Sequence, residues 1–206
     1  MIYLSGCLPS NSDTRRLLNQ YGVGILLTPY SQRNLDADNW TWAADNGCFG
    51  KQWEYKTWER FLKNRPNPET ALFAVVPDAV GNPHETTRRW EQHHQTVRNL
   101  GYKTAYVLQD DATNDHVPWD QLDALFIGGS TEYKLSLQAK KWVQEAKQRN
   151  KWVHMGRVNS QKRIEIAYEW GCDSVDGTFL AFGPDINAPR LIKMIQHGTR
   201  PQLEMT

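Results

Sequence analysis

Six segments of this chain end in residues that can do chemistry: Asp45-Asn46-Gly47, Pro77-Asp78, Gln109-Asp110-Asp111, Gly128-Gly129-Ser130, Met155-Gly156-Arg157 and Asp176-Gly177-Thr178. Carboxylates, an amide and a glycine pair suit a flat, neutral, polar ligand that carries donors and acceptors together. Asp78 can accept from a ring N–H and an exocyclic amine, while Gln109 and a backbone N–H at Gly128 or Gly129 can donate to a carbonyl oxygen. That pattern is the complement of guanine. Phe49 and Met155 offer an aromatic ring and a thioether for the two faces of such a base. Asp176 pairs with nothing on the base, which leaves it as the candidate nucleophile. Taken singly, each residue has a plainer reading: an Asp after a strand commonly caps a turn or helix, and a Gly-Gly pair commonly serves the backbone alone. The conjunction differs, because three carboxylates converging on one pocket repel one another and lower stability unless function requires them.

These residues stand at the ends of β-rich runs. Eight such runs occur, at residues 1–5, 23–28, 40–45, 72–78, 103–109, 124–129, 151–156 and 173–177. Amphipathic stretches separate them: one following Ser12 or Asp13, then 58–64, 82–101, 130–150, 160–171 and 187–198. Gly22, Gly101, Gly171 and Gly198 sit where helix C-caps are expected, and Asn82-Pro83 and Asn187-Ala188-Pro189 read as helix starts. The connections at 32–39 and 113–121 are too short for more than a turn of helix. Alternating strand and helix implies a parallel sheet with helices outside it. Eight units predict an α/β fold, a small single-domain (β/α)8 TIM barrel over residues 1–206, with an open doubly wound sheet as the alternative. In such a barrel the C-terminal ends of the strands form one mouth, where these side chains would meet.

Composition limits the function classes. The 206 residues carry 24 Lys+Arg against 23 Asp+Glu, a net charge of +1, and 39% are hydrophobic with 9 Trp. That content supplies a core and argues against a disordered tail. The longest apolar runs, such as 71–76, fall far short of a membrane span, and no leader pattern precedes them. Cys7, Cys48 and Cys172 lack metal-ligand or disulfide spacing, so neither a structural zinc site nor a disulfide framework is expected, and a reducing cytoplasm is the natural location. Cys48 and Cys172 read as packing residues. Charge is uneven along the chain: residues 131–165 hold nine basic and three acidic side chains, a local balance of +6 beside the expected mouth, leaving −5 elsewhere. Arg157, Lys162 and Arg163 follow the seventh strand and are the candidate contacts to a nucleic-acid backbone. Lys140 to Lys151 read equally as solvated helix surface, and Arg88-Arg89 and His93-His94 as solvent-facing.

In order along the chain, these segments resemble the tRNA-guanine transglycosylases. Residues 160–178, SQKRIEIAYEWGCDSVDGT, are similar to the helix-then-strand segment whose last aspartate is that family's nucleophile, here Asp176. AADNGCFG at 43–50 resembles its Asp-Ser-Gly-Gly-aromatic loop, which implies Asp45 as a second catalytic aspartate and Phe49 as a stacking ring. VVPDAVG, VLQDD and LFIGGS resemble the segments that bind the base, here through Asp78, Gln109 and Gly128-Gly129, and WVHMGRVNS resembles the turn that implies Met155 on the opposite ring face. The likeness runs from about residue 40 to 178, roughly two-thirds of the chain. After Asp176 the chain reads FLAFGPDINAPR, without the family's zinc-binding cysteines and without an appended RNA-binding domain. In that respect it is more similar to compact relatives from bacteriophages and DNA-modification clusters, which exchange guanine in DNA for a 7-deazaguanine such as preQ0 or preQ1.

The resemblance implies a pentosyltransferase acting by a retaining double displacement. Asp176 attacks C1′ of a deoxyguanosine, guanine departs, and Asp45 removes a proton from the incoming deazaguanine. No metal or other cofactor is expected. The implied partners are DNA, or tRNA, and the free base, with no membrane; a partner protein or homodimer is the remaining possibility. Three alternatives stay open: a tRNA substrate, a hydrolase in which water resolves the glycosyl-enzyme, and a non-catalytic partner subunit. Possession of both Asp176 and Asp45 argues against the last.

Overall fold

The structure is a computed structural model that describes residues 1–30, 40–50, 53–65 and 67–199. Eight parallel strands form a closed barrel: β1 Ile2–Ser5, β2 Val23–Leu27, β3 Trp42–Ala44, β4 Ala74–Val75, β5 Thr104–Leu108, β6 Ala124–Ile127, β7 Trp152–Met155 and β8 Ser174–Gly177. Each strand pairs with the next, and β1 pairs with β8 from Ile2↔Ser174 to Ser5↔Gly177. Closure excludes the open doubly wound sheet. The fold is therefore the small (β/α)8 barrel expected, and every strand lies within its predicted run.

Among the described residues seven helices cover the outside: α1 Ser12–Gln20, α2 Tyr55–Lys63, α3 Pro83–Asn99, α4 Thr131–Lys134, α5 Leu137–Gln148, α6 Gln161–Trp170 and α7 Pro184–Gly198. Asn82 caps α3 by accepting from Glu85 N–H at 3.0 Å, with Pro83 in the first turn. Residues 113–121 hold one 3₁₀ turn, Asn114–His116, as their length demanded; the other short connection, 32–39, lies outside the described residues.

Helix α2 begins three residues before the expected 58–64, and Asn11, not Ser12 or Asp13, caps α1; three further boundaries differ for local reasons. The stretch 130–150 is two helices, because Ser136 accepts from Ala139 N–H at 3.2 Å and starts a new one behind α4. Helix α7 begins a turn earlier than Asn187, behind Gly183 at φ 102, and absorbs Pro189 within it. Gly198 ends α7 as a packing residue and not as a cap: a Cβ there would lie 2.5 Å from Ile164 Cγ2 of α6.

Strand side chains alternate between two apolar layers. Leu4, Leu26, Ala43, Phe73, Val75, Ala105, Val107 and Ala124 fill the lumen. Tyr3, Ile25, Leu27, Trp42, Tyr106, Leu108, Ile127, Val153, Met155 and Val175 belong to the larger outer layer against the helices. Inward-pointing parity reaches Asp176 within β8 and continues past the ends of β3, β5, β6 and β7 to Asp45, Gln109, Gly128 and Gly156, so the packing of the lumen aims those positions at the mouth. No helix among the described residues is long and apolar enough to cross a membrane.

Candidate active site

A cavity of about 290 Å³ opens at the C-terminal ends of the strands, at the small end of the range for small-molecule pockets, roughly 300–1,000 Å³. Its floor is apolar, from Leu26, Val75, Val107 and Phe126. Its walls carry Asp45, Asn46, Phe49, Asp78, Gln109, Gly128, Gly129, Lys134, Arg157 and Asp176. Eight of the eleven residues singled out from the sequence thus line one cavity.

Asp176, on β8, has each oxygen engaged once. His154 Nε2 lies 2.9 Å from Oδ1, and the Arg157 backbone N–H donates to Oδ2 at 3.2 Å. His154 is fully buried in the lumen between Phe73 and Phe126, with ring centroids 5.2 and 4.5 Å away. Its Nδ1 meets Ser174 Oγ at 2.8 Å, and Ser174 Oγ accepts from Trp152 Nε1–H at 2.9 Å. Trp152 can only donate, so Ser174 Oγ accepts from it; between Ser174 Oγ and His154 Nδ1 either atom can donate, and His154 Nε2 faces the Asp176 carboxylate. Gly156 lies on the same face, where a Cβ would come 3.4 Å from Asp176 Oδ1. His154 is the main residue that motif reading missed. Its signal was parity, since it shares the inward face of β7 with Trp152 and Gly156, one residue before Met155.

Asp78 and its partners form a buried polar clamp. Asn46 Nδ2 donates to Asp78 Oδ1 at 2.9 Å, and Gln109 Nε2 donates to Oδ2 at 2.6 Å. Asn46 also donates to Val76 O and accepts from Cys48 N–H, so its amide is fully used as a brace. Gln109 accepts from Gly81 N–H at 2.9 Å, which leaves one amide hydrogen unassigned. Burial raises the Asp78 carboxyl above the ordinary range, opposed by the two amide donors and by Arg89. Asn46 was visible at the end of the third run but carried no assigned role.

Asp45 follows β3, half-buried, and accepts from Gly47 N–H at 3.1 Å. Burial pushes its pKa up to about 6; the Gly47 bond opposes this, and the charges of Asp176 and Asp78 add to it. Such a group exchanges protons near neutrality. The linkage has a definite sign, because a carboxyl that holds its proton more tightly when folded favours folding at low pH. That stabilisation is complete below the unfolded-state value near 4 and is lost as pH rises through about 6. Asp45→Asn, which retains an acceptor for Gly47, is therefore expected to be more stable than wild type at pH 7.5 by roughly 2 kcal/mol, with the difference shrinking towards pH 4. Urea denaturation at both pH values checks this; an equal difference at both would refute the assignment.

Several expectations are corrected. Met155 is fully buried on the outer face of β7, paired with Val175, and does not reach the cavity; strand parity prevents it from stacking on a ligand. The Gly128 N–H donates to Leu108 O at 3.0 Å within the sheet, so of the glycine pair only Gly129 remains as a backbone donor. Gly128 keeps a steric role, since a Cβ there would lie 2.7 Å from Leu108 O. Phe49 is exposed at the rim with the Arg157 guanidinium over its ring, 4.2 Å from the centroid. Arg157, at φ 59, also donates to Gly129 O. Arg163 is half-buried behind it, donating to Arg157 O at 3.3 Å, and Lys162 is exposed outside the cavity.

The basic segment divides. Lys147 pairs with Asp173 at 2.8 Å, Arg149 with Glu145 at 2.6 Å, and Lys151 donates to Leu122 O. These groups stand where α5 leads into β7, the barrel end opposite the mouth, so the +6 balance does not sit beside the site as a unit. His93 and His94 do not face solvent: His93 packs among Trp53, Tyr55 and Trp58, and His94 stacks on Trp90. Arg89 likewise reaches from α3 to donate to Asp78 O. Burial raises both the Cys48 and the Cys172 thiols to about 12, which suits packing and not nucleophilic chemistry.

No protein-family model matches this chain, and no curated protein matches it. Solved structures do. The Amycolatopsis orientalis BexX/CysO complex aligns with a TM-score of 0.57 at 16% identity, over 99% of this chain and 93% of that one. Tryptophan synthase from M. tuberculosis, in an aminoacrylate- and BRD0059-bound form, gives 0.57 at 12% identity over 97% and 91%. A native KDPGal structure gives 0.53 at 10% identity over 96% and 94%. At such identities the likeness is one of fold, a TIM barrel.

Proposed function

We propose that this protein is a base-exchange glycosyltransferase that replaces guanine in DNA with a 7-deazaguanine through a covalent glycosyl-aspartate. One observation carries the reading: two inward carboxylates share a mouth in different environments, Asp176 holding a donor on each oxygen and Asp45 half-buried and protonatable near pH 6. That division of labour suits a nucleophile beside a proton-transfer group.

In the first step an Asp176 oxygen bonds to C1′, and the C1′–N9 bond breaks with its electron pair passing to guanine. The remaining Gln109 amide hydrogen and the Gly129 N–H are the available donors for the base carbonyl, where negative charge develops. Asp78, braced by Asn46 and Gln109, faces the ring N–H and amine edge. Phe49 covers one face of the base and the apolar floor supports the other. In the second step Asp45 takes the N9 proton of the incoming deazaguanine, N9 bonds to C1′, and the Asp176–C1′ bond breaks. A nucleotide inside a duplex must be flipped out to reach this mouth.

Incubation with labelled preQ0 or preQ1 and either guanine-containing DNA or tRNA tests the reading. Label is expected in DNA. Label in tRNA alone would overturn the DNA assignment, and guanine release without label would identify a hydrolase.

A further inference from the structure

Lys134 stands apart from the proposed chemistry. It ends the four-residue helix α4, lines the mouth, is 3% exposed, and its Nζ has no hydrogen-bond partner. A buried ammonium without a partner is strongly unfavourable. The surrounding charges offset this only in part, with Asp176 and Asp110 favouring the ammonium. Arg157 and Arg163 are like charges close enough to oppose its protonation, and burial together with them brings it down to about 8. The nearby carboxylates are occupied: Asp110 accepts from Ser130 N–H and Oγ–H at 2.7 and 2.6 Å, and Asp176 from His154 and Arg157. No ion pair involves Lys134 among the described residues.

We propose that Lys134 and Arg157 form an anion subsite in the mouth, which takes a phosphate of the nucleotide whose sugar meets Asp176. The phosphate chemistry follows from the two cations; its assignment to a nucleotide rests on the base-exchange reading. Three features fit. The ammonium is held on protein scaffold and not on a mobile surface chain. Arg157 ties the subsite to the reacting carboxylate, since its own backbone N–H donates to Asp176. A phosphate between the two side chains would give each the counter-charge it lacks. Lys134 thereby becomes a binding residue for the polymer backbone, joining Arg157 from a basic segment of which Lys147, Arg149 and Lys151 lie at the far end of the barrel.

The test compares inorganic phosphate, dGMP and deoxyguanosine on wild type, Lys134→Met and the surface control Lys141→Met, by thermal shift and calorimetric titration. In wild type, phosphate is expected to raise Tm, and dGMP to bind 10- to 100-fold tighter than deoxyguanosine. Lys134→Met should reduce that ratio to near one, leave deoxyguanosine affinity unchanged, and melt higher than wild type without ligand, having lost an unpaired buried charge. Lys141→Met should keep the ratio. A wild-type protein in which phosphate neither raises Tm nor tightens nucleoside binding overturns the subsite whatever the variant does. So does an undiminished ratio in Lys134→Met, or a borohydride-reducible adduct on Lys134 with a carbonyl compound, which would make it an amine nucleophile. Binding of deoxyguanosine with no phosphate contribution removes the subsite and leaves the base reading intact. Phosphate binding lost in Lys134→Met, without any guanine binding, keeps the subsite and removes the base reading.

Discussion

Asp176→Asn is expected to lower guanine exchange by about 10⁴-fold or more, because the change removes the group that forms the bond to C1′ and no neighbour can replace it. Asp45 follows a different strand, with its own bond to Gly47, and Lys134 carries no carboxylate. The variant should fold normally. Its amide oxygen can still accept from His154 Nε2–H or Arg157 N–H, so about half of the local hydrogen bonding survives. Base binding should persist, since the Asn46–Asp78–Gln109 clamp is untouched. The expected signature is loss of turnover with retained affinity for guanine, read by single-turnover kinetics and equilibrium binding. Loss of both together would indicate that Asp176 is part of the binding surface and not the nucleophile.

The second large effect is expected at His154. His154→Phe fits the space between Phe73 and Phe126 but removes the donor to Asp176 Oδ1 and strands the Ser174 hydroxyl. Losing one oriented donor to a reacting group costs about 2–3 kcal/mol in transition-state stabilisation, or roughly 10²-fold in rate. As a positioning residue, His154 should affect kcat and leave KM for the incoming base nearly unchanged. His154→Gln, which offers an amide donor, should recover part of the rate. A purely structural role would lower Tm in both variants and show no such rescue. A lumen filled with apolar side chains has little reason to hold an imidazole unless the carboxylate above it needs fixing, which is why this pair joins fold to function.

Much of this architecture was legible in the sequence. The eight runs marked every strand because parallel barrel strands, covered on both faces, carry continuous apolar character, and their polar termini identified Asp45, Asp78, Gln109 and Asp176. What the pattern concealed was direction. Motif order suggested that Met155 faces a ligand, whereas a period of two assigns that face to His154 and sends Met155 outward. The split of residues 130–150 was also hidden, since Ser130 and Ser136 are both plausible caps and both serve as one. Charge counting misjudged the basic segment for a similar reason: linear proximity to the seventh strand does not distinguish its entry, where Lys147, Arg149 and Lys151 lie, from its exit at Arg157.

The covalent glycosyl-aspartate can be trapped. A single-stranded guanine-containing oligonucleotide is mixed with the protein without incoming base, quenched under denaturing conditions, and analysed by intact mass and peptide mapping. A protein–DNA adduct is expected on the peptide that carries Asp176, absent in Asp176→Asn and discharged when a 7-deazaguanine is added before the quench. Exchange that proceeds with no adduct at Asp176, or an adduct that persists in Asp176→Asn, would contradict the covalent mechanism.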